Sequence, residues 1–356
     1  MKLEQMIKKI EKSNKLSYEQ AKERTSNLIM PPRAMGKLND LSEKLCAIYG
    51  TLKPDTSKKA VFVMAGDHGI TKKGVSAFPQ EVTGQMIDAF LKGYATINAL
   101  CNASGVKVFV TDVGTLASTE DTTISNNAEF FQRKVALSTK DFSETSAMTI
   151  EEAEQSIMTG FEITSELIIK YSLNLVATGD MGIGNTTPSS AIGSVITGES
   201  VETMTGMGSG LNNERLLHKI KLIKQGIQLN NPDPKNGLEI LAKVGGFEIG
   251  AIAGTILAAA YHKIPVVIDG IISTAGALVA SLIAPESIDY MIAGHVSEEP
   301  GHKIMLQYLG LVPVLDLSMR LGEGTGAVSA MGIVDLAAAV IKDVATFEEA
   351  SVSGKD

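Results

Sequence analysis

The sequence predicts an α/β protein built on a doubly wound parallel sheet of about six strands. A short apolar run, a turn of Gly, Asp, Thr or Ser and a helical stretch follow one another six times along the chain. Each apolar run is hydrophobic along its whole length, which is typical of strands buried on both faces. Strands that alternate with helices in this way predict a parallel sheet covered by helices on both sides.

The predicted strands lie at residues 60–64, 106–110, 173–177, 264–268, 290–293 and 312–315. The polar stretch 120–148 is rich in Ser and Thr and predicts a loop or hairpin, followed by a helix with a capping box of Thr149 and Glu152. Residues 249–284 are the most apolar region. Lys263, Pro265 and Asp269 divide this region into pieces shorter than the roughly 20 residues of a membrane span, so we expect buried core helices.

Composition excludes several classes of function. The 356 residues carry a net charge of −8, and no run of Lys or Arg is longer than a pair, so we expect no nucleic-acid partner. The two cysteines, Cys46 and Cys101, lack the spacing of a zinc site or a redox motif, and the first residues carry mixed charge without an apolar core. These features favour the cytoplasm, with neither export nor a membrane partner.

The turns after the predicted strands are the expected place of an active site. In open parallel sheets, ligands bind outside the carboxyl ends of the strands, and small and polar residues collect at these ends here. A single turn of this composition has an ordinary explanation, because turns need Gly and Asp. Six such turns together favour a functional role over this ordinary explanation.

The strongest local signal is a glycine-rich turn that leads into a helix, Gly182-Ile183-Gly184-Asn185-Thr186-Thr187-Pro188. Glycines let backbone N–H groups approach an anion at the positive end of a helix, and Thr187 could cap that helix. The pattern predicts a cradle for phosphate or carboxylate. The alternative is an ordinary capped helix. No GxxxxGK[ST] or GxGxxG motif occurs, so we expect no nucleotide cofactor.

Isolated charged residues complete the inventory. Glu323 lies between glycines and is either a turn residue or a positioned base, and Lys219 is either a solvated lysine or a charge for a phosphate. Asp67, Asp180 and Asp269 follow strands. The five histidines are dispersed, which predicts no metal site, and no signature of a covalent nucleophile occurs. This set suits a phosphorylated substrate held by backbone amides and one carboxylate that accepts one proton.

The chain resembles the nicotinate-nucleotide:dimethylbenzimidazole phosphoribosyltransferase family over residues 31–330. The shared landmarks appear in order, and together they are far more specific than any one of them. They are residues 66–69 with 74–83, 182–187, 269–270, 294–302 and 320–326.

The resemblance implies a reaction in cobalamin assembly. Nicotinate mononucleotide gives its 5-phosphoribosyl group to a benzimidazole-type base, forming α-ribazole 5′-phosphate and nicotinate. It further implies small-molecule substrates only, a homodimer, and a smaller helical domain formed by residues 1–30 plus 331–356 beside a large domain of residues 31–330.

The resemblance also implies roles for single residues. Glu323 corresponds to the general base, and Asp180 stands where the family carries a glutamate that could assist proton transfer. The remaining positions correspond to walls of the base pocket (Ser76, Gln85, Leu321, Gly322), the phosphate grip (Gly182, Gly184, Asn185, Thr186, Lys219) and contacts of the ribose and nicotinate (Asp269, Gly270, Ser297).

Two departures from the family pattern stand out. Asp180 is one methylene shorter than the expected glutamate, and Arg33-Ala34-Met35 replaces an expected Gly-Ser-Leu, which puts the base preference in question. Two other functions stay open at this point. One is a nucleotide-binding protein with weakened catalysis, and the other is a hydrolase of the N-glycosidic bond in which water replaces the base.

Overall fold

A computed structural model describes residues 2–118, 127–208 and 210–353 of the chain. Its centre is a six-stranded sheet in which all paired strands are parallel, in the order β3-β2-β1-β4-β5-β6. The strands are Lys59–Gly66 (β1), Val106–Gly114 (β2), Ala128–Gln132 (β3), Leu175–Met181 (β4), Val266–Ile268 (β5) and Met291–Ala293 (β6). His295–Val296 (β7) and Leu315–Asp316 (β8) form a separate two-stranded parallel sheet.

Helices connect the strands and cover both faces of the sheet. In chain order they are Leu3–Ile7 (α1), Lys15–Asn27 (α2), Lys37–Tyr49 (α3), Val82–Lys92 (α4), Thr96–Ser104 (α5), Ile150–Tyr171 (α6), Thr186–Thr197 (α7), Val201–Met204 (α8), Asn213–Asn230 (α9), Gly237–Val244 (α10), Phe247–Tyr261 (α11), Ile271–Ile283 (α12), Pro300–Tyr308 (α13) and Thr325–Asp343 (α14). The described residues also contain two 3-10 helices, Gly69–Lys73 and Pro285–Tyr290.

The two faces of the sheet have separate hydrophobic cores. On one face α11 packs against α6, α12, β1 and β4, and on the other α14 packs against α3, α5 and β4. Alternate residues of β1 point into opposite cores: Phe62 into the first, and Val61 and Val63 into the second. This burial on both faces explains why the strand is apolar throughout and confirms the predicted doubly wound α/β class.

The sequence identified five of the six strands of the main sheet. The predicted strand at 312–315 is wrong as a member of that sheet, because Leu315 pairs with His295 in the small sheet instead. The sixth strand is β3, inside the stretch predicted as a loop or hairpin, of which residues 119–126 lie outside the described residues. As a short edge strand, β3 alternates between buried and partly exposed side chains and so lacks a continuous apolar run. The capping box of Thr149 and Glu152 is confirmed, with bonds of 2.8 and 3.1 Å.

The apolar region 249–284 forms α11 and α12, which are buried as predicted. Among the described residues, one helix, α14, has the length and hydropathy of a membrane span, but 56% of its apolar window is buried inside the protein. Its packing against α3 and α5 marks it as a core helix.

The two ends of the chain meet. Leu28 and Thr346 form an antiparallel bridge, and the guanidinium of Arg24 on α2 donates to the carbonyls of Ile341 and Val344 at 3.0 and 3.1 Å. The division into a large domain of residues 31–330 and a small domain formed by both ends stays a prediction. α14 crosses the predicted boundary at residue 330, and Val334 and Ala337 beyond it still belong to the core of the sheet.

Candidate active site

A cavity of about 350 Å³ lies at the carboxyl ends of the strands. Of the residues that the sequence singled out, those in its lining are Ser76, Asp180, Gly182, Gly184, Asn185, Thr186, Gly270, Ser297, Leu321, Gly322 and Glu323. They come from turns far apart in the chain, and the parallel sheet brings these turns to one edge. Gln85, Lys219 and Asp269 are not in the lining.

The turn between β4 and α7 forms one end of the cavity. Gly184 has a φ of +90°, and a Cβ there would lie 2.6 Å from the Thr71 hydroxyl oxygen, so glycine is required for both its conformation and its close packing. α7 begins at Thr186, and its N-terminus therefore faces the cavity with the positive end of the helix dipole. The predicted cap by Thr187 is wrong, because Asn185 occupies the N-cap position and Thr187 lies inside the helix.

Lys219 lies behind this turn rather than in the cavity. Its side chain is fully buried, and its Nζ donates to the Thr186 Oγ1 at 2.7 Å and to the Gly206 carbonyl at 3.5 Å. Burial lowers the pKa of Lys219 to about 8, and the negative charge of Glu299 acts in the opposite direction. Of the two interpretations of Lys219, the solvated lysine is therefore wrong: the ammonium group holds the hydroxyl of a residue that lines the cavity.

Asp269 is also beneath the cavity. Its two carboxylate oxygens accept hydrogen bonds from the backbone N–H groups of Gly324 and Ala327, both at 3.0 Å. Burial raises the pKa of this carboxyl, but His295 and the two N–H groups outweigh burial and hold the pKa below its usual value. The structure thus places Asp269 as a support for the start of α14, not in the lining where a ribose contact was predicted.

Glu323 lies above this support and lines the cavity. Its backbone packs so closely against β4 that a Cβ on Gly179 would lie 2.7 Å from the Glu323 carbonyl oxygen. The residue has a φ of +62°, in the left-handed region that few residues other than glycine adopt. Its Oε2 accepts one hydrogen bond, at 3.4 Å from the Ile97 N–H.

The environment of Glu323 tunes its acidity. Burial raises the pKa of this carboxyl to about 7, which the Ile97 N–H partly opposes. A carboxylate with a pKa near neutrality is half deprotonated at neutral pH. It can therefore accept a proton and lose it again within one catalytic cycle.

Asp180 is the second carboxylate beside Glu323. Its Oδ2 accepts a hydrogen bond from the Asn185 amide at 2.9 Å and lies 3.3 Å from where a Cβ on Gly322 would be. Its Oδ1 is buried without a partner among the described residues. Burial, followed by the charge of Asp269, raises the pKa of Asp180 well above its usual value, which favours the protonated form.

The other end of the cavity is apolar. Phe78, Val82, Met86 and Leu321 form a wall suited to a planar aromatic ring. Val82 and Met86 are four residues apart and share one face of α4, whereas Gln85 is exposed on that helix outside the lining.

Arg215 on α9 supports the segment before this wall, where the Ser76 hydroxyl accepts a hydrogen bond from the Phe78 N–H at 3.3 Å. Its guanidinium donates to the carbonyl oxygen of Ser76 at 2.7 Å and to that of Gly74 at 3.1 Å. Lys219 lies four residues further along the same helix. One face of α9 therefore contacts both the segment of Gly74 and Ser76 and the turn at Thr186.

Sequence reasoning did not assign two charged residues of the lining, Arg320 and Glu299. Both occur in the landmark segments 294–302 and 320–326. The available signal was a charged residue close to an assigned one, since Arg320 adjoins Leu321 and Glu299 is two residues from Ser297. The Nη1 of Arg320 donates to the Gly208 carbonyl at 3.4 Å, in the glycine-rich segment before α9, of which Ser209 is outside the described residues. Among the described residues, no group of three or more His, Cys, Asp or Glu side chains could hold a metal ion.

The departure at residues 33–35 lies away from the cavity lining. Arg33 has a φ of +54°, a conformation that suits the glycine expected in the family. Its guanidinium forms ion pairs with Asp40 and with the buried Glu43, the latter at 2.9 Å, and these pairs compensate for the unfavourable backbone conformation. Met35 lines a different groove of the protein, beside α3.

Comparison with known proteins agrees with this architecture. The sequence model of the family described as "Phosphoribosyltransferase" matches residues 10–352. The nicotinate-nucleotide–dimethylbenzimidazole phosphoribosyltransferase of Desulfotalea psychrophila is 48% identical, covering 96% of this chain and 95% of its own. The protein of the same name from Desulforudis audaxviator is 46% identical, covering 99% and 98%. The crystal structure of CobT from Thermus thermophilus superimposes with a TM-score of 0.90 at 42% identity, covering 96% of this chain and all of that one.

Proposed function

Because the chain belongs to the nicotinate-nucleotide–dimethylbenzimidazole phosphoribosyltransferase family, we propose that it transfers the 5-phosphoribosyl group of nicotinate mononucleotide to a benzimidazole-type base. The products are α-ribazole 5′-phosphate and nicotinate. The observation that carries this proposal is one cavity with a helix N-terminus at one end, an apolar wall at the other and Glu323, with a pKa of about 7, in its lining.

The chemistry needs one base and no acid. The free imidazole nitrogen attacks C1′ of the ribose, and the bond from C1′ to the pyridinium nitrogen breaks. The electron pair of that bond neutralises the pyridinium, so nicotinate leaves without being protonated. The attacking ring must lose the proton on its other nitrogen, and Glu323 accepts it. A single displacement inverts the β linkage to α.

The remaining lining residues bind and orient the substrates. Gly182, Gly184, Asn185 and Thr186 hold the 5′-phosphate at the start of α7, and Lys219 acts through the Thr186 hydroxyl. Arg320 provides a fixed positive charge for the substrate anions. Ser76, Leu321 and Gly322 contact the acceptor base. Gly270 and Ser297 contact the ribose and nicotinate.

Asp180 assists from beside Gly322. The raised pKa of its carboxyl favours the protonated form of Asp180, which leaves Glu323 as the group that takes up the new proton. Two neighbouring carboxyls with separated roles are a common arrangement where one acts as the base.

In the cell, the proposal places this reaction in the assembly of the nucleotide loop of cobalamin, in the cytoplasm and in a homodimer. The net charge of −8 supports small molecules rather than nucleic acid as partners. The molecular mass of the purified protein in solution tests the homodimer.

One assay separates the proposed transfer from its alternatives. We would incubate the protein with nicotinate mononucleotide, with and without dimethylbenzimidazole, and measure the release of nicotinate. Release that depends on the base, with formation of α-ribazole 5′-phosphate, is the expected result. Release without the base would indicate a hydrolase. Binding of the nucleotide without any release would indicate a protein that has lost catalysis.

A further inference from the structure

Glu299 is a buried carboxylate that the mechanism above does not use. Its side chain lines the cavity and is 8% exposed. Its Oε2 accepts no hydrogen bond from any residue in the described part of the chain. A buried carboxylate with an oxygen that lacks a donor is costly, and such a side chain in a cavity lining points to a donor on the ligand.

The surroundings place Glu299 near the phosphate end of the cavity. Its Oε2 packs against Gly206, where a Cβ would lie 2.2 Å from that oxygen. The carbonyl of the same Gly206 accepts a hydrogen bond from the Lys219 ammonium. Lys219 donates to Thr186 and Gly206, and in the described structure this ammonium makes no hydrogen bond to the Oε2 of Glu299. That oxygen is therefore not satisfied by direct contact with this lysine.

The turn that carries Glu299 is held in place by a chain of hydrogen bonds that leads to α12. Its N–H donates to the Ser297 hydroxyl at 3.2 Å, and the Ser297 N–H donates to the Nδ1 of His302 at 2.9 Å. The other ring nitrogen of His302 lies 2.9 Å from the Thr274 hydroxyl on α12. These bonds fix the backbone of the turn, so the carboxylate is presented to the cavity from a rigid support.

We propose that Glu299 accepts a hydrogen bond from a ribose hydroxyl of the transferred group, and so selects ribose over deoxyribose. This inference rests on the proposed function. A carboxylate repels the phosphate and carboxylate groups of the nucleotide, whereas the ribose hydroxyls are neutral donors. Carboxylates that recognise ribose hydroxyls are well known in nucleotide-binding folds. Asp269, which the sequence suggested for this contact, has both oxygens occupied by backbone N–H groups.

The test compares Glu299→Gln with the wild type on three nucleotides: nicotinate mononucleotide and its 2′-deoxy and 3′-deoxy analogues. For the parent nucleotide, we expect kcat/KM to fall about ten- to a hundredfold in the variant, the size of a hydrogen bond to a charged group. For the analogue that lacks the contacted hydroxyl, the wild type should lose a similar factor, and the substitution should cost little more. An equal penalty on all three nucleotides, or none on the parent, would overturn the assignment.

Glu298→Gln is the matched control, because Glu298 is the exposed neighbour outside the cavity lining. It makes the same change of charge, and we expect kcat/KM for all three nucleotides to stay at the wild-type level. Equal losses in both variants would show that net charge, not contact, is responsible, and would also overturn the assignment.

Dissociation constants of the three nucleotides, measured by calorimetry, repeat the comparison without turnover. Failure of the wild type to transfer the ribosyl group would contradict the proposed function. The ratios of dissociation constants would still decide whether Glu299 contacts a hydroxyl.

Discussion

Two turns at the same edge of the sheet each present a buried carboxylate, and they differ in what surrounds it. Asp269, after β5, lies beside His295 and accepts bonds from two backbone N–H groups, and these neighbours hold its pKa below its usual value. Glu323, before α14, accepts one long bond within the described part of the chain, and its pKa is about 7. Fixed donors stabilise the charged form, so they make one carboxylate a structural support, and their scarcity leaves the other able to exchange a proton.

The largest expected effect is on the turnover of Glu323→Gln. The amide cannot accept the proton, so kcat should fall by about 10²–10⁴-fold while nucleotide binding is retained. In the wild type, kcat should rise with pH through about 7, because the base acts only when deprotonated. The variant should lose this dependence. Near-normal turnover in the variant, or a wild-type profile without a rise near pH 7, would remove Glu323 as the base.

The next effect in size is on the stability of Asp269→Asn. The amide replaces a charged acceptor and turns an NH₂ group towards a backbone N–H, so we expect the free energy of unfolding to fall by about 2–3 kcal/mol. Urea denaturation measures the change. Asp316→Asn, at an exposed position of β8, is the control and should change stability by less than about 0.5 kcal/mol. If both variants were equally stable, Asp269 would not be the support described here.

The smallest expected effect is a gain in stability at Glu323, opposite in sign to the loss expected at Asp269. The left-handed φ of +62° at Glu323 is strained, so Glu323→Gly should raise the free energy of unfolding by about 1 kcal/mol although it abolishes the base. Glu323→Ala also removes the carboxylate but keeps the backbone strain, and it should bring no such gain. Equal stability of the two variants would mean that this backbone is not strained.

The sequence predicted the sheet well because its central strands are buried on both faces. Phe62 and Val63 face different cores, and this produces a continuous apolar run that is visible without a structure. The edge strand β3 was missed because Glu129 and Phe131 are only partly buried. The strand at Leu315 was recognised, but its partner depends on the path of the chain after β6, which no local pattern encodes.

The candidate site was predictable as a set of turns and less so as individual contacts. Gly184 and Glu323 stand out in the sequence because glycines mark their turns. The position of Asp269 depends on N–H groups of Gly324 and Ala327, more than 50 residues away along the chain, which spacing does not reveal. The sequence shows that Lys219 lies on a helix. It does not show that the turn of Thr186 packs against this lysine.

The shared face of α9 has a mechanical consequence. Arg215 and Lys219 lie one helical turn apart on α9. Arg215 supports the segment beside the proposed site of the acceptor ring, and Lys219 supports the turn proposed to hold the phosphate. The spacing between these two subsites is thereby set by the pitch of a helix, which is far stiffer than the loops that it connects.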